Sequence, residues 1–469
     1  MNLKPNGHIH LMGICGTAMA SLAGLLKDRG FKITGSDANP YPPMSTQLES
    51  LGITILKGYK AENLAPKPDF VIVGNVISAN NPEAQELTRL GIPFTSLPKA
   101  MGEWIIADKE CITISGTHGK TTTTSLMSWV AEVCGEKPGF MIGGIPKNFA
   151  QSFRNAEKKL FIIEGDEYDT AYFDKVPKFV HYKPKHVILT SVEFDHADIY
   201  KDLEAVKAAF RTLIGLIPVD GTFIACADDK NVRELYPLSK CQNSFTYGLQ
   251  GGDFQAKILR ETAAGIEFQV HYKNEILGPY LLPMSGEYNI LNATAVVALS
   301  KVLGFAPEKI KQALASFEGV KRRQEILGEP GGVLVIEDFA HHPTAVRETV
   351  KGIQHKYPNR KVFSIFEPRS ATSRRKIFQQ DYVNAFKGAN EVMLAQAFDQ
   401  AKIISEDRFS SEELVADLQK SGVTAGVFAS ADSIVAALKS RTKSGDVVLI
   451  MSNGGFDGIY TKILNALKN

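Results

Sequence analysis

The chain reads as an α/β protein of three domains. These are a Rossmann-like N-terminal domain, a central phosphate-loop domain with a small antiparallel appendage, and a second Rossmann-like domain at the C-terminus. Three observations predict this. Short apolar, β-branched runs recur, and most empty into a glycine-rich or polar turn ahead of a helix start, as parallel strands do in doubly wound sheets. At 469 residues the chain is too long for one core. One of the strand–turn–helix units, residues 112–124, also carries the residue types of a phosphate loop. The domains are placed at residues 1–107, 108–321 and 322–469.

Composition narrows the function classes. A net charge of +2 gives no strong long-range field, so neither nucleic acid nor an anionic membrane is indicated. Five cysteines (15, 111, 134, 226 and 241) are scattered and odd in number, with no metal-type spacing, and read as reduced thiols of a cytoplasmic protein. No apolar stretch reaches about 18 residues, so neither a membrane span nor a signal peptide is expected.

The N-terminal domain opens with the strand His8-Ile9-His10-Leu11-Met12-Gly13, a turn through Gly16, a helix, and a second strand ending in Ser36-Asp37. An acidic residue there sits where Rossmann folds hold a ribose hydroxyl. The glycine pattern is GxxGxxM rather than GxGxxG, so a plain turn with a surface aspartate stays open. A further strand, Phe70-Val71-Ile72-Val73, leads past Ser78 to Asn81-Pro82, a helix start with proline at the first position.

The central domain begins at the phosphate loop. Ile112–Ser115 is a strand, and Gly116-Thr117-His118-Gly119-Lys120-Thr121-Thr122 turns into a helix. Unpaired amides at a helix start favour an anion, Lys120 reaches phosphate oxygens, and the Thr121 hydroxyl is placed for Mg²⁺. The loop is shortened, because Ile114 stands where a glycine is usual. This predicts ATP use. Two further strands end in acids, Glu164-Gly165-Asp166-Glu167-Tyr168-Asp169 and Glu193-Phe194-Asp195-His196-Ala197-Asp198. Of these, Glu164 and the Asp195-His196 pair are the candidates to hold Mg²⁺ with phosphate oxygens, the remainder being solvated. Residues 221–283 alternate in short strands and form the expected antiparallel appendage. Asn289 and Asn292 then share one face of a helix, where amides either match an adenine edge or cap. In the C-terminal domain three strands empty into Ala340-His341-His342-Pro343, Glu367-Pro368-Arg369-Ser370 and Ser452-Asn453-Gly454-Gly455.

Taken in order, GTHGKTTTT, EGDEYD, EFDHAD, SGEYNILNA, GVKRRQE and DFAHHPT resemble the Mur ligase family across the whole chain. The stretches SDANPYPPMSTQLE, EGDEYDTAYFDKVPKFVHYKP and EFDHADIY are most similar to the branch that attaches a peptide ending in diaminopimelate. The resemblance implies an ATP- and Mg²⁺-dependent amide ligase acting on UDP-N-acetylmuramate and the murein tripeptide, with the alanine-adding branch as the alternative. It implies a UDP-binding first domain, a central ATPase and a mobile third domain, in a monomer or weak homo-oligomer. The family's residues carry over as follows. Gly13, Gly16, Ser36, Asp37 and Ser78 would contact UDP-sugar. Gly116, Thr117, Gly119, Lys120, Thr121, Thr122, Asn289, Asn292, Arg323 and Asp338 would hold ATP, Arg323 at the γ-phosphate and Asp338 at the ribose. Thr121, Glu164 and His196 would hold Mg²⁺. Lys120, Arg323, His196 and His342 would be catalytic, with His341 or His342 as base. Phe210 stands at the position of a carbamylated lysine used in other branches, so no such lysine is expected. In the loop after the second C-terminal strand Arg369 or Arg374 would anchor a peptide carboxylate, since guanidinium takes carboxylates bidentately. An oxidoreductase would leave the phosphate loop idle, and a nucleotide-switched binding protein would leave the acid loops idle.

Overall fold

The computed structural model describes residues 5–40, 44–262, 264–401 and 403–468. Tyr41, Pro42 and Pro43, within the SDANPYPPMSTQLE stretch, lie outside the described residues. The first sheet has five parallel strands in the order Thr54–Lys57, Lys32–Asp37, His8–Met12, Phe70–Val73 and Phe94–Ser96. Its order reverses between His8–Met12 and Phe70–Val73, so a crevice opens at the strand ends there. Asn81 caps the helix Pro82–Arg89 through its side chain, as its sequence suggests.

The second sheet has ten strands. From edge to edge they are Glu275–Leu282, Gly265–Tyr272, Phe254–Thr262, Asn243–Gly248, Thr222–Cys226, His186–Leu189, Glu110–Ser115, Leu160–Gly165, Gly139–Met141 and Phe153–Arg154. Glu110–Ser115 lies between the two acid-tipped strands and parallel to both. That register brings the phosphate loop and both acid loops to one edge. The expected appendage is smaller than the sequence pattern suggests. Thr222–Cys226 and Asn243–Gly248 are parallel strands of the main sheet, and within 221–283 only the three strands of 254–282 are antiparallel to one another. Thr222–Cys226 is buried along its whole length, and its unalternating Phe-Ile-Ala-Cys was the available signal for a central strand.

The third sheet has the order Glu325–Gly328, Leu334–Asp338, Val447–Met451, Val362–Phe366, Glu391–Ala395 and Thr424–Phe428. The domains join unequally. One apolar cluster runs from Ile9 to Val320 through both the first and second sheets, whereas the C-terminal sheet has apolar clusters of its own on its two faces. The first two domains are wedged together at Gly24, where an added Cβ would lie 2.0 Å from the Phe153 ring. No helix among the described residues is long and apolar enough to cross a membrane.

The central sheet also contains an acid-sensitive group. His186 starts a buried strand, and burial lowers its pKa to about 4 although Glu110 lies 3.9 Å away. The folded protein therefore keeps this ring neutral while the unfolded chain takes up a proton near pH 6.5. Stability from this group is full above that pH and is lost as pH falls through the window from 6.5 to about 4. By pH 5 the loss is about 2 kcal/mol. The Tm of wild type should drop between pH 7 and 5, and His186→Gln should drop less; equal slopes in the two proteins would sink the assignment.

Candidate active site

The phosphate loop is built by two glycines. Gly119 is the N-cap of the helix Lys120–Val133 at φ +82°, a left-handed conformation, and a Cβ there would lie 2.6 Å from Asn292 Oδ1. Gly116, at φ +132°, leaves room for Thr190 Oγ1, which a Cβ would meet at 2.2 Å. The loop leans on the 190–193 segment: Ser191 O accepts from Thr117 N at 2.9 Å, and Ser191 Oγ accepts from His118 N at 2.9 Å. The amides of the helix start have no intrahelical acceptor, the condition for binding phosphate.

Lys120 Nζ donates to Gly116 O at 2.6 Å and to Glu167 Oε2 at 3.1 Å. Burial works against this ammonium, but the charges of Glu167, Asp166 and Glu164 outweigh it and its pKa is raised. On one side Thr121 Oγ1 donates to Glu164 Oε2 at 3.1 Å, and Gly143 N donates to Glu164 Oε1 at 2.6 Å. On the other, His196 Nε2 lies 3.3 Å from Glu167 Oε1. His196 sits at φ +55°, an uncommon conformation for a residue with a Cβ. The expected set Thr121, Glu164 and His196 thus divides: Glu164 pairs with Thr121, and the acid beside His196 is Glu167. Glu167 is 1% exposed, not the solvated loop acid its sequence position suggested.

The two carboxylates differ electrically. Burial raises the Glu164 pKa despite the Gly143 amide and the Lys120 charge. Burial acts on Glu167 too, but Lys120 and His196 outweigh it and its pKa is lowered. A buried carboxylate beside a hydroxyl, with too little positive charge around it, is what an oxygen-coordinated divalent cation relieves. Thr121 and Glu164 fit Mg²⁺ on that ground. Phe210 is buried and stacks on Phe179, while Lys207 pairs outward with Glu204 and Glu234.

Beside the loop lies a cavity of about 160 Å³ that opens to solvent. Thr117, Gly119, Lys120, Thr121, Thr122, Asn289, Asn292, Arg323 and Asp338 line it. Tyr288, Gln324 and Phe339 also line it; they lie within the stretches SGEYNILNA, GVKRRQE and DFAHHPT, although no role was expected for them. Asn292 Nδ2 donates to Asn289 Oδ1 at 3.4 Å, and Asn289 Nδ2 donates to Ser285 O at 2.7 Å. Adjacent arginines take different partners. Both guanidiniums lie over the Phe339 ring, at 5.1 and 4.8 Å, but Arg322 bonds Glu337 Oε1 at 2.5 Å and Gly454 O at 2.6 Å while Arg323 lines the cavity. Arg322 and Gln324, on either side of Arg323 in this turn, both have positive φ. Asp338 accepts from Gln324 N and Ala340 N, each at 2.8 Å, and burial raises its pKa.

The C-terminal domain docks on the second acid loop. Thr344 Oγ1 donates to Glu193 Oε2 at 2.8 Å, and Thr372 Oγ1 donates to Asp195 Oδ1 at 2.6 Å. His342 caps the helix Pro343–Lys356, its Nδ1 accepting from Thr344 N at 3.3 Å, and its Nε2 donates to Phe194 O at 3.2 Å. Both ring nitrogens are thus engaged, which weighs against its expected role as a base. Burial, with His118 near, pushes its pKa to about 3, far below the operating pH a base needs. His341 carries its proton on Nδ1, which donates to Phe339 O at 3.0 Å, and burial lowers its pKa as well.

The two expected peptide anchors also part. Arg374 gives its guanidinium to backbone carbonyls, Nη1 to Asp399 O at 2.6 Å and Nε to Ser370 O at 3.3 Å. It braces its loop in this structure, which weighs against the expected contact of Arg374 with a peptide carboxylate. Arg369 stacks 3.8 Å over Phe398 and touches Glu367 Oε1 through Nη1 at 3.3 Å. Its Nη2 has no acceptor among the described residues, so the fork can still take a carboxylate.

In the first domain a cleft is lined by Gly16–Met19 at a helix start, Gly74, Asn75, Leu97 and Pro98, and from the second domain by Thr170 and Lys178. Gly13, at φ +80°, shapes the turn, and Asp37 Oδ2 accepts from Cys15 N at 3.0 Å. Ser78 is exposed. Ser36 is a correction. It is fully buried with Oγ donating to Glu83 Oε1 at 2.8 Å, so it braces the turn from within. Glu83, which no sequence motif marks, also meets His10 Nε2 at 2.7 Å.

Comparison with known proteins gives three adjoining family matches: "Mur ligase family, catalytic domain" over residues 8–109, "Mur ligase middle domain" over 114–300, and "Mur ligase, glutamate ligase domain" over 322–454. The chain is 39% identical over 460 residues to the UDP-N-acetylmuramate–L-alanyl-γ-D-glutamyl-meso-2,6-diaminoheptandioate ligase of Escherichia coli, covering 98% of each. It is 33% identical to the UDP-N-acetylmuramate–L-alanine ligase of Clostridium tetani, covering 96% of each. Among solved structures it matches a murein peptide ligase from Psychrobacter arcticus, with 34% identity, a TM-score of 0.74 and 99% of each chain covered.

Proposed function

The chain belongs to the Mur ligase family, and we propose that it joins L-alanyl-γ-D-glutamyl-meso-diaminopimelate to UDP-N-acetylmuramate at the expense of ATP, returning cell-wall peptide to a nucleotide precursor. The observation that carries this is the likeness over the whole chain, greater toward the tripeptide ligases than toward the alanine ligases. The edge where the phosphate loop, two acid loops and the C-terminal loops meet supports it, because a ligase must bring two anions and an amine together there. Five free cysteines suit the reducing cytoplasm, where nucleotide precursors are made.

In this reading UDP-N-acetylmuramate lies in the cleft at Gly16, Asn75 and Lys178, with its carboxylate toward the phosphate loop, and ATP fills the cavity beside Asn289, Asn292 and Asp338. The carboxylate attacks the γ-phosphorus and ADP leaves; the peptide amine then attacks the acyl phosphate carbonyl and phosphate leaves. Both partners of the first step are anions, so charge neutralisation does most to lower the barrier. Lys120 and Arg323 provide it at the transferring phosphoryl group, each contact contributing on the order of 3 kcal/mol. Mg²⁺, held by Thr121 and Glu164, would add Lewis-acid charge at the phosphate oxygens. His196 lies on the same edge, its pKa raised against burial by Glu167 and Asp195. His341 leaves Nε2 as an acceptor for the amine proton, which His342 does not.

The test is ADP release by the purified protein. It should require UDP-N-acetylmuramate together with an amine, and kcat/KM for the tripeptide should exceed that for L-alanine. A preference for alanine would make this the alanine-adding enzyme; ADP release needing neither substrate would sink the ligase reading.

A further inference from the structure

Where the phosphate loop faces the C-terminal domain, three side chains from three segments converge on one point. His118 Nε2 lies 3.0 Å from Glu193 Oε2, and His342 Nδ1 lies 3.3 Å from the same oxygen. The two imidazole rings are 4.6 Å apart. All three ligand atoms fall within 4.8 Å of one another. Four-coordinate zinc holds nitrogen and oxygen ligands at about 2.0–2.1 Å, which separates neighbouring ligand atoms by about 3.3 Å.

Two details make this more than a polar contact. Phe194 O and Thr344 N fix the His342 tautomer: Nε2 carries the proton and Nδ1 carries the lone pair. The lone pair faces Glu193 Oε2 and is met only by the Thr344 amide at 3.3 Å among the described residues, while that oxygen itself accepts from Thr344 Oγ1 at 2.8 Å and lies 3.0 Å from His118 Nε2. A metal-ligating histidine that donates its other N–H to a backbone carbonyl is the usual supporting arrangement. The second detail is charge. In the neighbouring cluster of Asp166, Glu167 and His196, Lys120 already supplies a cation at 3.1 Å. Among the described residues no lysine or arginine pairs with Glu193.

We propose that His118, Glu193 and His342 form a binding site for a borderline divalent transition metal ion, Zn²⁺ or Co²⁺, that spans the phosphate loop and the C-terminal domain. Two imidazoles and one carboxylate favour such ions over Mg²⁺, which takes oxygen ligands. An ion there ties the ATP loop to the docked third domain, so the site is complete only in the closed arrangement.

Titration of the full chain with Co²⁺, read by the visible absorption of the four-coordinate ion, tests this independently of ligase activity. One ion per chain should bind, be displaced by Zn²⁺, and persist in millimolar Mg²⁺. His118→Ala and His342→Asn, which keeps an acceptor for the helix cap, should each weaken binding at least ~100-fold, since each removes a ligand outright. His196→Ala should leave it unchanged, and circular dichroism should show all three variants folded. Absent absorption in wild type, binding that survives His118→Ala, or binding lost only in His196→Ala would overturn the proposal.

Discussion

Lys120→Ala should lose at least ~10³-fold in kcat/KM for ligation, because it removes the fixed positive charge at the transferring phosphoryl group. The structure adds a second expectation. Lys120 is also the cation that holds Glu167 ionised at 1% exposure, with Asp166 and Glu164 close enough to raise its own pKa. Deleting it strands buried negative charge, and breaking a buried pair from one side costs about 3–5 kcal/mol. The variant should therefore melt well below wild type, and Mg²⁺ should raise its Tm more than it raises that of wild type. Lys120→Ala/Glu167→Gln should recover most of the stability and none of the activity. Retained ligation in the single variant would remove Lys120 from the phosphate site, and an unchanged Tm would mean that Glu167 is held by other groups.

Arg369→Ala should lower kcat/KM for the tripeptide at least ~30-fold, with little effect on L-alanine. The loss of a charge-assisted bond in a closed site is on the order of 2–4 kcal/mol. The stack on Phe398 presents its guanidinium as a rigid fork. Arg374→Ala should instead leave the tripeptide-to-alanine ratio unchanged and lower the Tm, since this side chain ties its loop to the carbonyls of Phe398 and Asp399. A pair of variants with the opposite pattern would exchange the two roles. If neither shifts the ratio, the peptide carboxylates are held elsewhere.

The phosphate loop was legible residue by residue. Gly119 must be glycine for its left-handed turn, Lys120 follows at the helix start, and both facts are local in the chain. The acid-tipped strands were legible as well, because an apolar run ending in carboxylates places them on the ligand edge of a parallel sheet. The extent of the antiparallel strands was misjudged, since alternation in 243–248 and turn residues around Thr222–Cys226 do not say which sheet a strand enters. Within the site, Glu164 at the end of its strand and Glu167 in the loop that follows sit three residues apart and look alike in sequence. One takes the Thr121 hydroxyl and the Gly143 amide, the other Lys120 and His196, and that difference sets opposite pKa shifts.

By itself, then, the sequence determined the α/β class, the place of the phosphate loop and the chemistry its edge could support. Each of these depends on residues within about ten positions of one another, where spacing fixes backbone conformation. Which acid faces which cation, that His342 caps a helix with a neutral ring, and that Arg369 rather than Arg374 keeps donors available were decided only by tertiary structure. Those outcomes rest on partners such as Glu193 with Thr344 and Asp195 with Thr372, which lie more than 150 residues apart and meet because the third domain packs on the second. Burial and pairing across that contact, not the identity of the side chain, set its charge and its role.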